Sequence, residues 1–242
     1  ENVYIQVPAA GTYTVTVNAF NIPNGPQKFA LAIDGGSLGT GPTPTPGPTN
    51  TPTNTPTNTP TNTPTNTPAP STSTGYLSPS AQAALSGGDN NGYELNPTFA
   101  FGNDTSVASD NNSGSGTQTS CTHTKKDKHS FFNYGFNIPS GSVRGIEVRL
   151  DASADSTTGS PRICVQLSWN GGSSWTAAKQ TSTLTASEAS YFLGGPADTW
   201  GRSWTLAELS NANFRVRLID VAGNTSRDFF LDYVAVNVTY QP

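Results

Sequence analysis

Phe230-Leu231-Asp232-Tyr233-Val234-Ala235-Val236-Asn237-Val238-Thr239-Tyr240 is rich in β-branched and aromatic residues and carries no helix-forming periodicity. It reads as a strand. Working outward from it, apolar residues alternate with polar ones at Phe214, Val216, Leu218, at Ile163, Val165, Leu167, Trp169, at Ile146, Val148, Leu150, and at Phe132, Tyr134, Phe136, Ile138. Turn-forming stretches of Gly, Ser, Asn and Asp separate these runs. Helix is expected for one turn each, at 80–85 and 205–209, because nothing else keeps a 3.6-residue period without a Gly or Ser interruption. The fold class expected for residues 75–242 is therefore all-β, an antiparallel sandwich of jelly-roll type.

The rest of the chain has a different character. Residues 1–40 read as an incomplete meander of three strands. Val3, Ile5 and Val7 form the first, Tyr13, Val15 and Val17 the second, and Phe29, Leu31 and Ile33 the third. Three strands with one apolar face cannot bury that face alone, and the segment has no cysteine to staple it. These nine side chains are the expected assembly surface, with a neighbouring copy as the most accessible partner. Residues 41–74 are a linker in which Thr-Asn-Thr-Pro occurs five times in succession. Proline at every fourth position forbids helix and central strand, and ~30 residues of polyproline-like chain span ~90 Å. The linker is either a flexible tether or an O-glycosylated stalk with Thr51, Thr55, Thr59, Thr63 and Thr67 as acceptors. Consensus acceptors for N-linked sugar stand at Asn103, Asn111, Asn224 and Asn237.

Composition bounds the function. Of 242 residues, only 33% are apolar and 12% charged, and the difference is made up by Thr, Ser, Asn, Gly and Pro, as in loop-rich secreted β proteins. A net charge of −4 with no long basic run speaks against nucleic acid as a partner. No run approaches the ~20 apolar residues of a membrane span. Cys121 and Cys164 are the only cysteines, and one disulfide between them fits an oxidising, extracellular or cell-surface location. The chain contains no methionine, so a processed product or a fragment is expected.

Three stretches resemble known proteins. Glu1-Asn2-Val3-Tyr4-Ile5, Pro8-Ala9-Ala10-Gly11-Thr12-Tyr13-Thr14-Val15-Thr16-Val17 and Asn24-Gly25-Pro26-Gln27-Lys28-Phe29-Ala30-Leu31 together resemble the end of the prepeptidase C-terminal (P-domain-like) β-sandwich of secreted subtilisin-like proteases. That resemblance implies an origin downstream of a secreted enzyme; it covers only the last three strands of such a domain, and no protease motif accompanies it. The Asp/Asn-rich loops and the strand around Asp232-Tyr233-Val234-Ala235-Val236 resemble modules of bacterial surface proteins and glycan-active enzymes. Ser168-Trp169-Asn170-Gly171-Gly172-Ser173-Ser174-Trp175 resembles the Asp-box hairpin, with Asn170 where that motif has Asp, and implies a structural turn.

Candidate chemistry is sparse. The two histidines, His123 and His129, sit in one polar stretch after Cys121; a zinc site from Cys121, His123, His129 and Cys164 lacks the usual ligand spacing, so a disulfide with a solvated loop is expected instead. No nucleophile motif is present, and no enzyme is expected. Asp89, Asp104, Asp110 and Asp155 in Gly/Asn-rich loops are candidate calcium ligands, against the alternative of turn-capping side chains. Trp169, Trp175, Trp200 and Trp204 are candidate sugar-stacking residues, against the alternative of core or cross-strand packing. Two functions follow: a non-catalytic structural subunit assembling head-to-tail into filaments, or an ancillary module binding a cell-surface glycan.

Overall fold

Parity decides how the last strand builds the core. In the computed structural model, which describes residues 70–242, ten strands form two antiparallel sheets. They are β1 (Thr72–Ser73), β2 (Ala81–Leu85), β3 (Ala108–Asp110), β4 (Lys128–Phe132), β5 (Ser142–Ala154), β6 (Arg162–Ser168), β7 (Lys179–Gln180), β8 (Ala189–Gly194), β9 (Arg215–Val221) and β10 (Phe229–Gln241). Strand β10 pairs with β5 along most of its length, but the register steps from Leu231–Ala152 to Tyr233–Asp151, leaving Asp232 as an extra residue. Side chains alternate with period two, so one inserted residue exchanges the faces. Phe229 and Leu231 before the bulge, and Val234, Val236 and Val238 after it, are thereby all buried in one core. A second shift beside Arg144 does the same for β5, placing Val143 against the same core as Ile146, Val148, Leu150 and Ala152.

The first sheet runs β3–β10–β5–β8, with β1 beside β10 at its other end. The second runs β2–β4–β9–β6–β7. From β3 onward the chain crosses between sheets at each step except β6 to β7, and the two orders are those of an eight-stranded jelly roll to which β1 and β2 are added. The core between the sheets takes Ile163, Val165, Leu167, Val216 and Leu218 from the second sheet. Close approach at one corner depends on Gly145, where an added Cβ would stand 2.2 Å from the carbonyl oxygen of Gly195.

Several expectations are corrected. Residues 81–85, expected in a helical turn, are strand β2, paired with β4 from Ala81–Phe132 to Leu85–Lys128. The Phe132–Ile138 alternation is not a paired strand: β4 ends at Phe132, and Asn133 and Gly135 have φ of 63° and 66°. Its alternation serves packing, since Tyr134 and Phe136 both meet Phe214 edge-on, with centroids 5.7 and 5.2 Å away. The turn at 205–209 is present as a 3-10 helix, Leu206–Leu209, whose Glu208 carboxylate accepts the Thr205 amide N–H at 2.7 Å. The first strand of the sandwich, at Thr72–Ser73, lies ahead of the domain start expected at 75. The segment expected to form three strands, with its assembly residues, and the Thr-Asn-Thr-Pro repeats with their threonine acceptors lie outside the described residues.

Cys121 and Cys164 are joined, with Cα atoms 5.6 Å apart. The bond closes a loop with a sequence separation of 43 and seats Cys121 on a small apolar cluster of Cys164, Ile219 and Val221 on the outside of the second sheet. Replacing both cysteines by alanine should cost about 4 kcal/mol by loop-closure entropy, lowering Tm by roughly 8–16 °C. Thermal unfolding of the double variant beside the parent checks this; an unchanged Tm would remove the disulfide from the account.

Candidate functional site

The two outer faces of the sandwich differ in character. Outward positions on β5 are Glu147, Arg149 and Asp151, alternating with the buried Ile146, Val148 and Leu150. Register sets Ala235 and Phe192 on either side of Arg149, Asn237 opposite Glu147, and Tyr233 opposite Asp151. Leu77 bridges to Val236, which brings Tyr76 onto the same face. Phe192 is 56% exposed, and its ring centroid lies 6.3 Å from that of Tyr76. The Arg149 guanidinium sits between two phenol rings, 6.0 Å from Tyr76 and 5.5 Å from Tyr233.

Polar groups on this face are held in place. Arg149 Nε and Nη2 donate to the two Asp151 oxygens at 3.1 and 2.7 Å, a forked pair that fixes the guanidinium plane. Asn103 Nδ2 donates to Asp151 Oδ2 at 2.7 Å, and the Tyr76 hydroxyl donates to Glu147 Oε1. Burial, with the carboxylate of Glu147 next, pushes the Tyr76 phenol well above its ordinary value, so it is a donor throughout the physiological range. The bulge residue Asp232 accepts the Asp104 amide at 3.3 Å and so anchors the 103–106 loop at the rim. The result is a surface on which exposed Phe192 and half-buried Tyr76, inclined at 50°, are flanked by fixed donors and acceptors.

The expected site residues are dispersed. Trp200 and Trp204 are 4% and 7% exposed core residues, their indole N–H groups donating to the carbonyls of Ile146 and Thr199, both at 2.8 Å. Trp169 is covered by the Arg202 guanidinium at 4.0 Å and Trp175 by that of Arg217 at 4.1 Å. The four tryptophans therefore form no common platform; on the β10–β5–β8 face the exposed ring is Phe192, beside the half-buried Tyr76, and sequence reasoning missed both. Their signal was available in the Glu147-x-Arg149-x-Asp151 row, which alternates with apolar residues and so must face outward. The Asp-box-like turn behaves as the resemblance implied: Asn170 Oδ1 accepts the Ser174 amide at 2.8 Å and Ser168 Oγ accepts that of Gly172 at 2.8 Å.

Neither histidine meets the cysteines, whose sulfurs are bonded to each other. His129 Nδ1 accepts the Tyr93 amide at 3.2 Å, so Nε2 carries the proton and donates to Gln82 at 2.7 Å. Burial lowers its pKa to about 4. His123 Nδ1 accepts the Lys125 amide at 3.1 Å in an exposed loop. Among the described residues, no three His, Cys, Asp or Glu side chains gather as a metal site. The four candidate calcium ligands stand apart in their roles. Asp89 donates its amide to Asp127, Asp104 caps Ser106, and Asp155 pairs with Arg227 at 3.1 Å.

Asp110 is the exception, being fully buried at the end of the sandwich with neither carboxylate oxygen hydrogen-bonded to a donor. It faces Asp220, whose Oδ1 accepts the Tyr93 hydroxyl at 3.3 Å, with Asp127 and the buried Lys126 nearby. Lys126 Nζ donates to Ser113 Oγ and to the Ala222 carbonyl at 2.9 and 3.0 Å. Burial and then the neighbouring Asp220 charge push Asp110 far up, so it holds its proton, while burial raises Asp127 and Asp220 to about 7.

A carboxyl whose pKa is higher in the fold than in the unfolded chain contributes fully below pH ~4 and loses that contribution as pH rises through the folded value. His129, lowered in the fold, works the other way between about 4 and 6.5, and Lys126, also lowered, works the other way near its own alkaline titration. Stability should therefore fall as pH rises from ~4 to ~7, the interval between the unfolded and folded values of Asp127 and Asp220, with His129 offsetting part of the loss. Asp110→Asn supplies an uncharged donor to Asp220 and should raise Tm at pH 8 by several degrees while leaving it nearly unchanged at pH ~4. Thermal scans at both pH values check this; equal shifts at the two would refute the buried, protonated state of Asp110.

No family model matches the chain, and no curated protein matches it. Solved structures that match include the N-terminal CBM22-1–GH10 modules of a Clostridium thermocellum endo-1,4-β-D-xylanase 10B, complexed with xylohexaose. That match has 14% identity and a TM-score of 0.33, covering 67% of this chain and 24% of that one. A truncated AlyQ with CBM32 and alginate lyase domains matches at 13% identity and a TM-score of 0.35, covering 72% of this chain and 35% of that one. CBM29_1, a family 29 carbohydrate-binding module from Piromyces equi, matches at 14% identity and 0.31, covering 69% and 90%. The chain thus spans about a quarter and a third of the first two. At these scores the likenesses carry no argument about ligand or site, and the sandwich rests on its own strand pairing.

Proposed function

We propose that residues 70–242 form a non-catalytic, extracellular carbohydrate-binding module whose ligand lies on the outer face of β10, β5 and β8. The observation that carries this reading is Phe192, 56% exposed on a rigid strand beside Tyr76, with the Arg149–Asp151 fork and Glu147 in reach of the same surface. Sugar rings present apolar C–H faces and a rim of hydroxyls. An exposed aromatic ring with fixed hydrogen-bonding groups at its edge complements both. Preorganisation matters here, because donors already locked by Asp151 and Glu147 lose little freedom on binding. The disulfide supports an oxidising compartment. Filament formation, the other function expected from the sequence, rests wholly on residues 1–38, outside the described ones.

Affinity electrophoresis through gels containing soluble xylan, β-glucan or galactomannan tests the proposal. At least one should retard the protein, and Phe192→Ala should weaken that binding by roughly five- to thirtyfold, about 1–2 kcal/mol, with an unchanged Tm. Retardation that survives both Phe192→Ala and Tyr76→Ala would move the ligand off this face, and no retardation in any gel would end the neutral-glycan reading.

A further inference from the structure

The outer face of the second sheet has the opposite electrical character. Its inward residues are those of the core, so register and alternation put Lys128, Ser130 and Phe132 of β4, Arg215 and Arg217 of β9, and Gln166 of β6 on the outside. No outward position on these three strands carries a carboxylate. Among the described residues the four ion pairs involve Arg149, Lys179, Arg202 and Arg227, and none involves Lys128, Arg215 or Arg217.

The cations are positioned rather than loose. Arg217 lies over Trp175 at 4.1 Å and donates from Nε to Gln166 Oε1 at 3.1 Å; Gln166 is in turn held by donating to the Thr176 carbonyl at 2.7 Å. Arg215 lies over Phe132 at 4.0 Å, and its Nε is buried without an acceptor. Lys128 stands opposite Ile219, one step further along the same direction. Levels 215, 217 and 219 are about 6.8 Å apart along a strand, so the three charges form a line rather than a pocket. The disulfide-tied segment at Cys121 covers the lower part of this face, over Cys164, Ile219 and Val221, and leaves the arginine rows half exposed.

We infer that this face is a second binding surface, for a linear acidic polysaccharide bearing carboxylates. A line of three cations fits a polymer of repeating charge better than one small anion, which needs converging donors. Guanidinium groups braced on aromatic rings offer planar forks matched to carboxylate oxygens. The opposite face, with Glu147 and Asp151, repels the same ligand, so charge alone assigns the polyanion to this side. Four outward cations, counting Arg162 at the far end of β6, are few for nucleic acid in a chain of net charge −4, and the disulfide marks a compartment where acidic polysaccharide is the commoner polyanion.

The test uses the whole chain with polygalacturonate in the gel, neutral dextran as control and single-stranded DNA as the competing polyanion. Polygalacturonate should retard the protein and dextran should not, and raising salt from about 0.05 to about 0.5 M should abolish retardation. Arg215→Gln with Arg217→Gln should weaken binding at least tenfold, whereas the charge-retaining lysine pair should lose only part of it. Should the glutamine pair unfold, Lys128→Glu, at a half-exposed end of the line, must weaken binding severalfold. Phe192→Ala should leave polygalacturonate binding unchanged, which separates this surface from the neutral-glycan face. Equal binding of dextran, tighter binding of DNA, salt-insensitive retardation or unaffected binding by the folded charge variants would each overturn the inference.

Discussion

The extra residue at Asp232 is the constraint on which the rest of the sandwich depends. Strand β10 is the hub of the first sheet, hydrogen-bonded to β1, β3 and β5. Without the bulge, either Phe229 and Leu231 or Val234, Val236 and Val238 would point to water. Each such side chain contributes roughly 1.5–3 kcal/mol only when buried. The inserted residue is itself put to use, because its carboxylate leaves the ladder and anchors the Asp104 loop at the edge of the aromatic face. Core parity and site geometry are thus set by the same backbone irregularity.

How much of this was legible depended on whether a strand was buried on one face and central. Ile163–Leu167 and Phe214–Leu218 alternate cleanly because one side meets the core, and they were read correctly. The single helical turn expected at 80–85 is instead strand β2 from Ala81, since pairing with β4 overrides the local helix preference of Ala, Gln and Leu. Strand β8 escaped notice because Phe192 occupies its solvent side, which breaks the alternation that would have marked it. Tyr134 and Phe136 gave a false strand because edge-on packing against Phe214 imposes the same spacing as a ladder does.

The candidate site was less legible than the fold, for a physical reason. Trp200 and Trp175 both lie in connections between strands, where alternation gives no signal, and an indole N–H is satisfied equally well on a buried carbonyl or in water, so residue type alone cannot separate them. What separates them is their distant partners: Trp200 donates to the Ile146 carbonyl of β5, whereas Trp175 lies under the Arg217 guanidinium of β9. The disulfide was readable because two cysteines leave one pairing. The buried Asp110–Asp220 pair was half readable, with Asp110 singled out as an oxygen ligand and its true neighbour invisible across more than a hundred residues of chain.

The entry of the chain into the sandwich has a mechanical consequence. Thr72 pairs with Tyr240 in antiparallel sense, and Leu77 pairs with Val236 further in. Tension arriving from residues ahead of Pro70 therefore loads these bonds in sequence, peeling the segment like a zip rather than shearing it as a block. Tyr76 lies on that segment, one residue before Leu77. A pull strong enough to detach it would strip one ring from the aromatic face while the β5–β10 pairing stays intact, so that face is only as durable as the edge segment that carries Tyr76.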